Sequence, residues 1–166
     1  QGHHGQFVGM LAQSRVPVDY PLRNGSQQFT VADLVETEKL TCRSGSELTF
    51  KLIAISHYCD LDVTWKNDQG QQWDIPRLLR EEIAAPVKKM STCGGSHRLF
   101  SVAYRVRKLI KRDEPIEGEF RRAQIHTQNY IRWTLKLQNS DGSMSTEWFE
   151  GRGSNPDLDR RIKTSG

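Results

Sequence analysis

One unit is written three times in this chain: a polar turn holding Asn and Gly, then Gln or Glu, then an aromatic residue. Asn24-Gly25-Ser26-Gln27-Gln28-Phe29 recurs as Asn67-Asp68-Gln69-Gly70-Gln71-Gln72-Trp73, and more loosely as Asn139-Ser140-Asp141-Gly142-Ser143 running to Glu147-Trp148-Phe149. The first two copies agree beyond the turn, because QFTVADLVETE at 28–38 reads onto QWDIPRLLREE at 72–82 with a constant shift of 44. A regular period constrains architecture more than any single residue does. Carrying helical patterning, it implies helix pairs stacked side by side, each burying its apolar stripe on the next. The units fall near 22–58, 65–112 and 118–166, inside a single helical-repeat domain over 1–166.

A chain of 166 residues has the usual length of one domain. No apolar run approaches the ~20 residues that a bilayer span needs, so no membrane span is expected. The net charge of +4 is a mild excess, since 24 basic residues are interspersed with 20 acidic ones. The one dense basic stretch is Arg105, Arg107, Lys108, Lys111 and Arg112, which suits either the negative end of a helix or a polyanion contact. Nucleic acid is not the expected partner, because aromatic residues are not interleaved with those cations. Cys42, Cys59 and Cys93 have no CxxC spacing and no even count, so reduced, buried thiols are expected, with one disulfide plus a spare as the alternative. The opening QGHHGQFVGMLAQSR lacks the basic start and apolar centre of a signal peptide. Asp157 to Gly166 reads as the opening of a helix that stops early, so a fragment or processed product is expected.

Helical spacing dominates the rest. Phe7, Met10 and Leu11 predict a helix over Gly5 to Ser14, and Pro17 and Pro21 an extended connector. Thr30 is a fitting N-cap, with Asp33 in the capping-box position and Val31, Leu34, Val35 and Leu40 as the stripe, ending near Cys42. Ser44 or Ser46 should cap the next helix, where Leu48, Leu52, Ile55 and Cys59 share a face that Phe50, Ile53 and Ala54 widen. Such apolar girth marks burial on more than one side. Asp74 caps a helix with Pro76 in its first turn and Leu78, Leu79 and Ile83 as stripe, closed by Pro86. Gly94-Gly95-Ser96 opens a long helix through Leu99, Val102, Ala103, Val106 and Ile110. A last one, 118–137, carries Phe120, Ala123, Tyr130, Trp133, Leu135 and Leu137. The fold class expected is all-α, with Phe29, Trp73 and Trp148 wedged between turn and helix. The turns before Phe29 and Trp73 favour short hairpins.

Gln138-Asn139-Ser140-Asp141-Gly142-Ser143 followed by Trp148, after a helix holding Tyr130 and Trp133, resembles the glutamine-tryptophan motif of the terpenoid cyclase and protein prenyltransferase superfamily. That likeness implies an α/α toroid, of which this chain covers about half, and a bracing role for Gln138 and Trp148. No DxDD-type aspartate cluster and no zinc triad in the prenyltransferase pattern accompany it, so neither activity is carried over. The chain looks like a bacterial branch of the superfamily without assigned chemistry.

Candidate chemistry rests on polar residues at helix ends. His57-Tyr58 closes the most apolar helix. Cys93-Gly94-Gly95-Ser96-His97-Arg98 opens another, where Gly94, Gly95 and Ser96 would offer free N–H groups to an anion, Arg98 a fork of donors, and His97 a base. The structural alternative is that Gly-Gly only makes the turn, His97 only caps and Arg98 only meets a carboxylate; His57 would likewise be a core histidine. His57, Cys59, Cys93 and His97 have ligand types for zinc but no diagnostic spacing, so neither metal nor other cofactor is expected. Trp65 and Trp73 around a polar turn suit either a sugar platform or packing anchors.

Two functions remain. One is a non-catalytic scaffold or binding module presenting a repeat surface to another protein or to the remainder of a larger toroid. The other is a carbohydrate-active enzyme, a polysaccharide lyase or glycosidase, acting on an acidic polysaccharide through Glu36, Glu38, His57, Tyr58, His97 and Arg98. If the enzyme reading holds, His97, Arg98 and at least one of His57, Tyr58 or Glu38 should share a pocket.

Overall fold

The computed structural model describes residues 2–87, 92–154 and 156–165. Within it the repeated unit folds the same way twice. Pro21–Asn24 (β1) and Gln27–Thr30 (β2) pair antiparallel and lead straight into Val31–Leu40 (α2). Thr64–Lys66 (β3) and Gln72–Asp74 (β4) pair likewise and lead into Ile75–Ala84 (α4). Both helices have ten residues, and both begin at the cap that the sequence names. Thr30 Oγ1 accepts from the Asp33 N–H while Asp33 accepts from the Thr30 N–H at 2.7 Å, completing a capping box. Asp74 accepts from the Arg77 N–H at 2.6 Å. The second and third turns share one hydrogen-bond pattern: Asn67 N–H to Gln71 O (3.0 Å) and Gly70 N–H to Asn67 O (2.9 Å) match Asn139 N–H to Ser143 O (2.9 Å) and Gly142 N–H to Asn139 O (3.0 Å). The chain is therefore mostly helical, yet all-α is too narrow a description, because both hairpins are regular two-stranded sheets.

The remaining helices are Gln6–Gln13 (α1), Thr49–Tyr58 (α3), Ser96–Lys111 (α5), Gly118–Leu137 (α6) and Leu158–Ser165 (α7). α3 is the axis of the molecule. It packs between α1 and α5, with α2 and α4 against it, while α6 crosses α4 and α5. Every residue from Thr49 to Ser56 is buried, as an apolar girth without one polar face requires. Leu52 and Ile55 join Trp65, Trp73, Leu78, Leu79, Val102 and Val106 in the main core. Ala54 packs with Val8, Val31 and Val35, and Phe50 and Ile53 pack with Ala12.

Ring contacts fix the helix directions. His3, just before α1, stacks on Phe50 at the head of α3 (5.9 Å), and Phe50 meets His97 at the head of α5 (5.3 Å). Seven residues further along both α3 and α5, His57 Nδ1 meets the Tyr104 hydroxyl, and the Tyr58 hydroxyl donates to Val16 O, after α1. α1, α3 and α5 thus run parallel, with their N-termini at one pole and their C-termini at the other. Glu38, late in α2, meets Lys51 early in α3, and Glu82, late in α4, meets Thr49, so the outer helices run antiparallel to the inner ones.

Three details differ from the sequence expectation. Neither Ser44 nor Ser46 caps α3. Its N-cap is Leu48, whose N–H is taken by Glu82 of α4 at 3.1 Å, while Ser44 donates to Glu81 and Ser46 to Arg43 O. Cys93 is exposed, and all three thiols are free. Of the α6 stripe only Ala123 and Leu137 are buried; Trp133 and Leu135 stand 44% and 59% exposed, with no further helix over them among the described residues. Of the aromatic anchors, Trp73 is wholly buried, with the Arg77 guanidinium 4.0 Å over its ring. Phe29, paired across the hairpin with Leu22, and Trp148 are half-buried.

Candidate functional site

Both poles of the inner layer collect polar residues, and the sequence candidates divide between them. At the N-terminal pole, His97 packs edge-on to Phe50 and to His3 (6.5 Å), with Nδ1 buried and without a hydrogen-bond partner among the described residues. Arg98 places Nε 3.3 Å from Glu82 and donates through Nη1 to Pro86 O at 3.0 Å. Glu82, 1% exposed, also accepts from Leu48 N–H and Thr49 Oγ1 (2.8 Å). One carboxylate therefore supplies the cap that α3 lacks and neutralises Arg98. Burial pushes the Glu82 carboxyl up, against the pull of Thr49, Arg98 and Leu48. Glu38 is taken by Lys51 at 2.6 Å, and Glu36 by Lys39 at 2.8 Å.

The Gly94-Gly95 turn is filled by side chains. A Cβ on Gly94 would lie 2.1 Å from Trp148 Cδ2, and one on Gly95 2.5 Å from Val87 Cγ1. Both glycines are buried with positive φ, so close approach by Trp148 and Val87 explains them without a ligand. Ser96 Oγ donates to Cys93 O. Gln138 holds its own turn by donating to Gly142 O at 2.7 Å.

At the C-terminal pole, His57 Nδ1 and the Tyr104 hydroxyl are 2.7 Å apart, and the Tyr58 ring stands edge-on to His57. Burial, then Lys108, Arg15 and Arg112, hold the His57 imidazole below its ordinary range; burial raises the Tyr104 hydroxyl. Lys108 Nζ donates to Ser56 O and, at 2.8 Å, to His57 O, capping α3 from outside. Burial and the neighbouring Arg112 and Arg105 bring that ammonium down to about 8. Arg105, 1% exposed, reaches Ser56 O through Nη1 (3.4 Å) and lies 5.5 Å from the Phe120 ring, but Nε and Nη2 have no hydrogen-bond partner among the described residues. A buried polar group left this way costs about 1–3 kcal/mol, and more if charged.

His97, Arg98 and Glu38 sit at one pole and His57 and Tyr58 at the other; at the first pole Glu38 is paired with Lys51, and Arg98 with Glu82 and Pro86 O. Phe50 and His57 alone are seven residues apart on α3, about 10 Å along the axis. Sequence reading missed Glu82, Ser56 and Tyr104, and took Arg105 and Lys108 only as part of a basic stretch. The usable signal was a charge at apolar-stripe spacing: Glu82 follows Leu78 by four, and Arg105 follows Val102 by three and precedes Leu109 by four.

A further concave surface is apolar. α5 and α6 diverge to leave a groove of about 390 Å³ lined by Leu99, Phe100, Ala103, Tyr130, Ile131 and Phe149 among others. Phe100 and Ile131 are 46% and 55% exposed there. Among the described residues no cluster of three or more His, Cys, Asp or Glu is placed to hold a metal ion, and no helix is long and apolar enough to cross a membrane. No family model matches the chain, and no curated protein or solved structure matches it either.

Proposed function

We propose that this chain is a non-catalytic binding module, a segment of an α/α-toroid-like array, which seats an amphipathic helix of a partner in the groove between α5 and α6. The groove is the observation that carries the reading. α3 lies against α1 and α2, and α5 lies against α3 and α4; the next place in that progression lies against α5 and α6. Its walls are apolar, and burying such surface contributes about 25 cal/mol per Å². α7, next in the chain, shows the kind of helix that would fit, since Leu158 and Ile162 make an apolar edge one turn apart and are exposed. The partner helix belongs either to another protein or to further repeats of the array.

Light scattering and binding of an apolar fluorescent dye test this directly. The wild-type chain should bind dye or self-associate, and Ile131→Glu should abolish both while leaving Tm nearly unchanged. A clean monomer that binds no dye would remove the proposal.

The carbohydrate-active alternative draws on the His57–Tyr104 pair flanked by Lys108 and Arg15, an acid–base pair in cationic surroundings. Release of unsaturated products from uronic-acid polysaccharides, lost in His57→Ala, would establish it in place of the binding module. Activity lost in His97→Ala instead would return attention to the Gly-Gly turn.

A further inference from the structure

The C-terminal pole has a feature that neither the groove nor α3 capping uses. The two nitrogens of Arg105 without a hydrogen-bond partner among the described residues, Nε and Nη2, form one edge of the guanidinium, the edge that takes two oxygens of a carboxylate or phosphate side by side. Ser56, wholly buried on the facing helix, has an Oγ likewise without a partner, while its carbonyl receives Arg105 and Lys108. Arg112 acts on both Arg105 and Lys108, and Arg15 and Arg112 act on His57. Arg15 and Arg112 are exposed and Arg105 is buried behind this positive rim. The acidic groups around the cluster are fewer. Glu114 acts on Arg105 and Lys108, pairs with Arg112 at 3.6 Å, and has Oε2 buried without a hydrogen bond. Glu36 and Asp60 act on Cys59, beside Lys39 and Lys108.

The backbone around the cluster is unusual too. α1 and α5 both end in a turn in which the second residue past the last helical one is left-handed, and in both it is not glycine: Arg15 (φ 56°) and Asp113 (φ 54°). Their following residues close the motif, Val16 N–H to Leu11 O and Glu114 N–H to Leu109 O. Strain of this kind collects where side-chain placement matters more than backbone comfort.

We propose that this pole binds a small oxyanion, a carboxylate or a phosphate group, on the Nε and Nη2 edge of Arg105, with Lys108, Arg112 and Arg15 completing the positive surround and Ser56 Oγ donating. The proposal is independent of the α5–α6 groove, which uses other residues of α5. Inorganic phosphate and acetate are the probes, read by the rise in Tm with concentration and by calorimetry at low salt. Binding of both establishes a general oxyanion site, and binding of one alone assigns its ligand class. Arg105→Met should weaken binding at least about tenfold, the loss of a bidentate charged pair. Arg112→Gln, an exposed change that does not touch the core, should weaken it up to about fivefold, and Glu114→Gln should strengthen it by a similar factor through removal of a competing carboxylate. Neither anion binding, or both binding undiminished in Arg105→Met, overturns the site. Weaker binding in Glu114→Gln would also overturn it, by making Glu114 itself the partner of that edge.

Discussion

The two poles of the inner helix layer are built from the same materials and resolved in opposite ways. At the N-terminal pole Glu82 satisfies the head of α3 and Arg98 together, and Lys51 takes Glu38. At the C-terminal pole Lys108 satisfies the α3 carbonyls, but Arg105 keeps a buried edge without a hydrogen-bond partner among the described residues. Backbone choices invert as well. α1 and α5 begin after left-handed glycines, Gly5 and Gly95, and end through left-handed Arg15 and Asp113, the reverse of the usual placement of glycine at helix C-termini. Space explains the first half: a Cβ on Gly5 would press on Glu38 and Lys51 at 3.2 Å. The N-terminal pole leaves a single ring nitrogen, His97 Nδ1, without a partner among the described residues, whereas the C-terminal pole leaves a whole guanidinium edge, which costs more and suits an anionic ligand better.

The largest expected effect tests the stabilising pole. Glu82→Ala should destabilise by about 3–5 kcal/mol, because it strands Arg98 and uncaps α3 at once; a shift in the urea midpoint measures it, and a loss under 1 kcal/mol would break the contrast. Trp73→Ala, in the core between the poles, sets the scale at about 3–5 kcal/mol.

At the other pole the sign should reverse. Arg105→Met, similar in volume, should be neutral or stabilising by about 1 kcal/mol, since it removes a buried charge whose neighbours do not complete its bonds. Destabilisation comparable to Glu82→Ala would show that Phe120 and Glu114 compensate Arg105 more fully than their geometry suggests.

The pH dependence sharpens the same point. Lys108 sits near 8 in the folded chain against 10.5 for a free side chain. Between those values the unfolded state binds the extra proton, so this group makes stability rise with pH from about 8 to 10.5. Cys42, raised by burial from 9.0 to about 11, pulls the other way over 9 to 11, since there the folded state keeps the proton. The difference between wild type and Lys108→Met isolates the lysine: the wild type should gain on the variant as pH climbs through that window. A flat difference would place the ammonium in open solvent.

The smallest effect concerns the strained turns. Asp113→Gly should stabilise by up to about 1 kcal/mol through relief of the left-handed residue, detectable as a Tm rise of a few degrees. No gain would mean that the Asp side chain holds the turn.

Local signals in the sequence determined the repeated hairpin–helix unit, the caps at Thr30 and Asp74, the span of α6 and the burial of α3 on several sides. Each is carried by neighbours within a turn or two, where spacing and side-chain chemistry act directly. Tertiary structure alone decided that Glu82 caps α3 across 34 residues, that Trp148 fills the space over Gly94, and that His97 and His57 stand at opposite poles. It also decided that half of the α6 stripe lines an open groove rather than a core. These outcomes depend on which helices lie side by side and in which direction, and periodicity marks the face that a helix buries without naming what covers it.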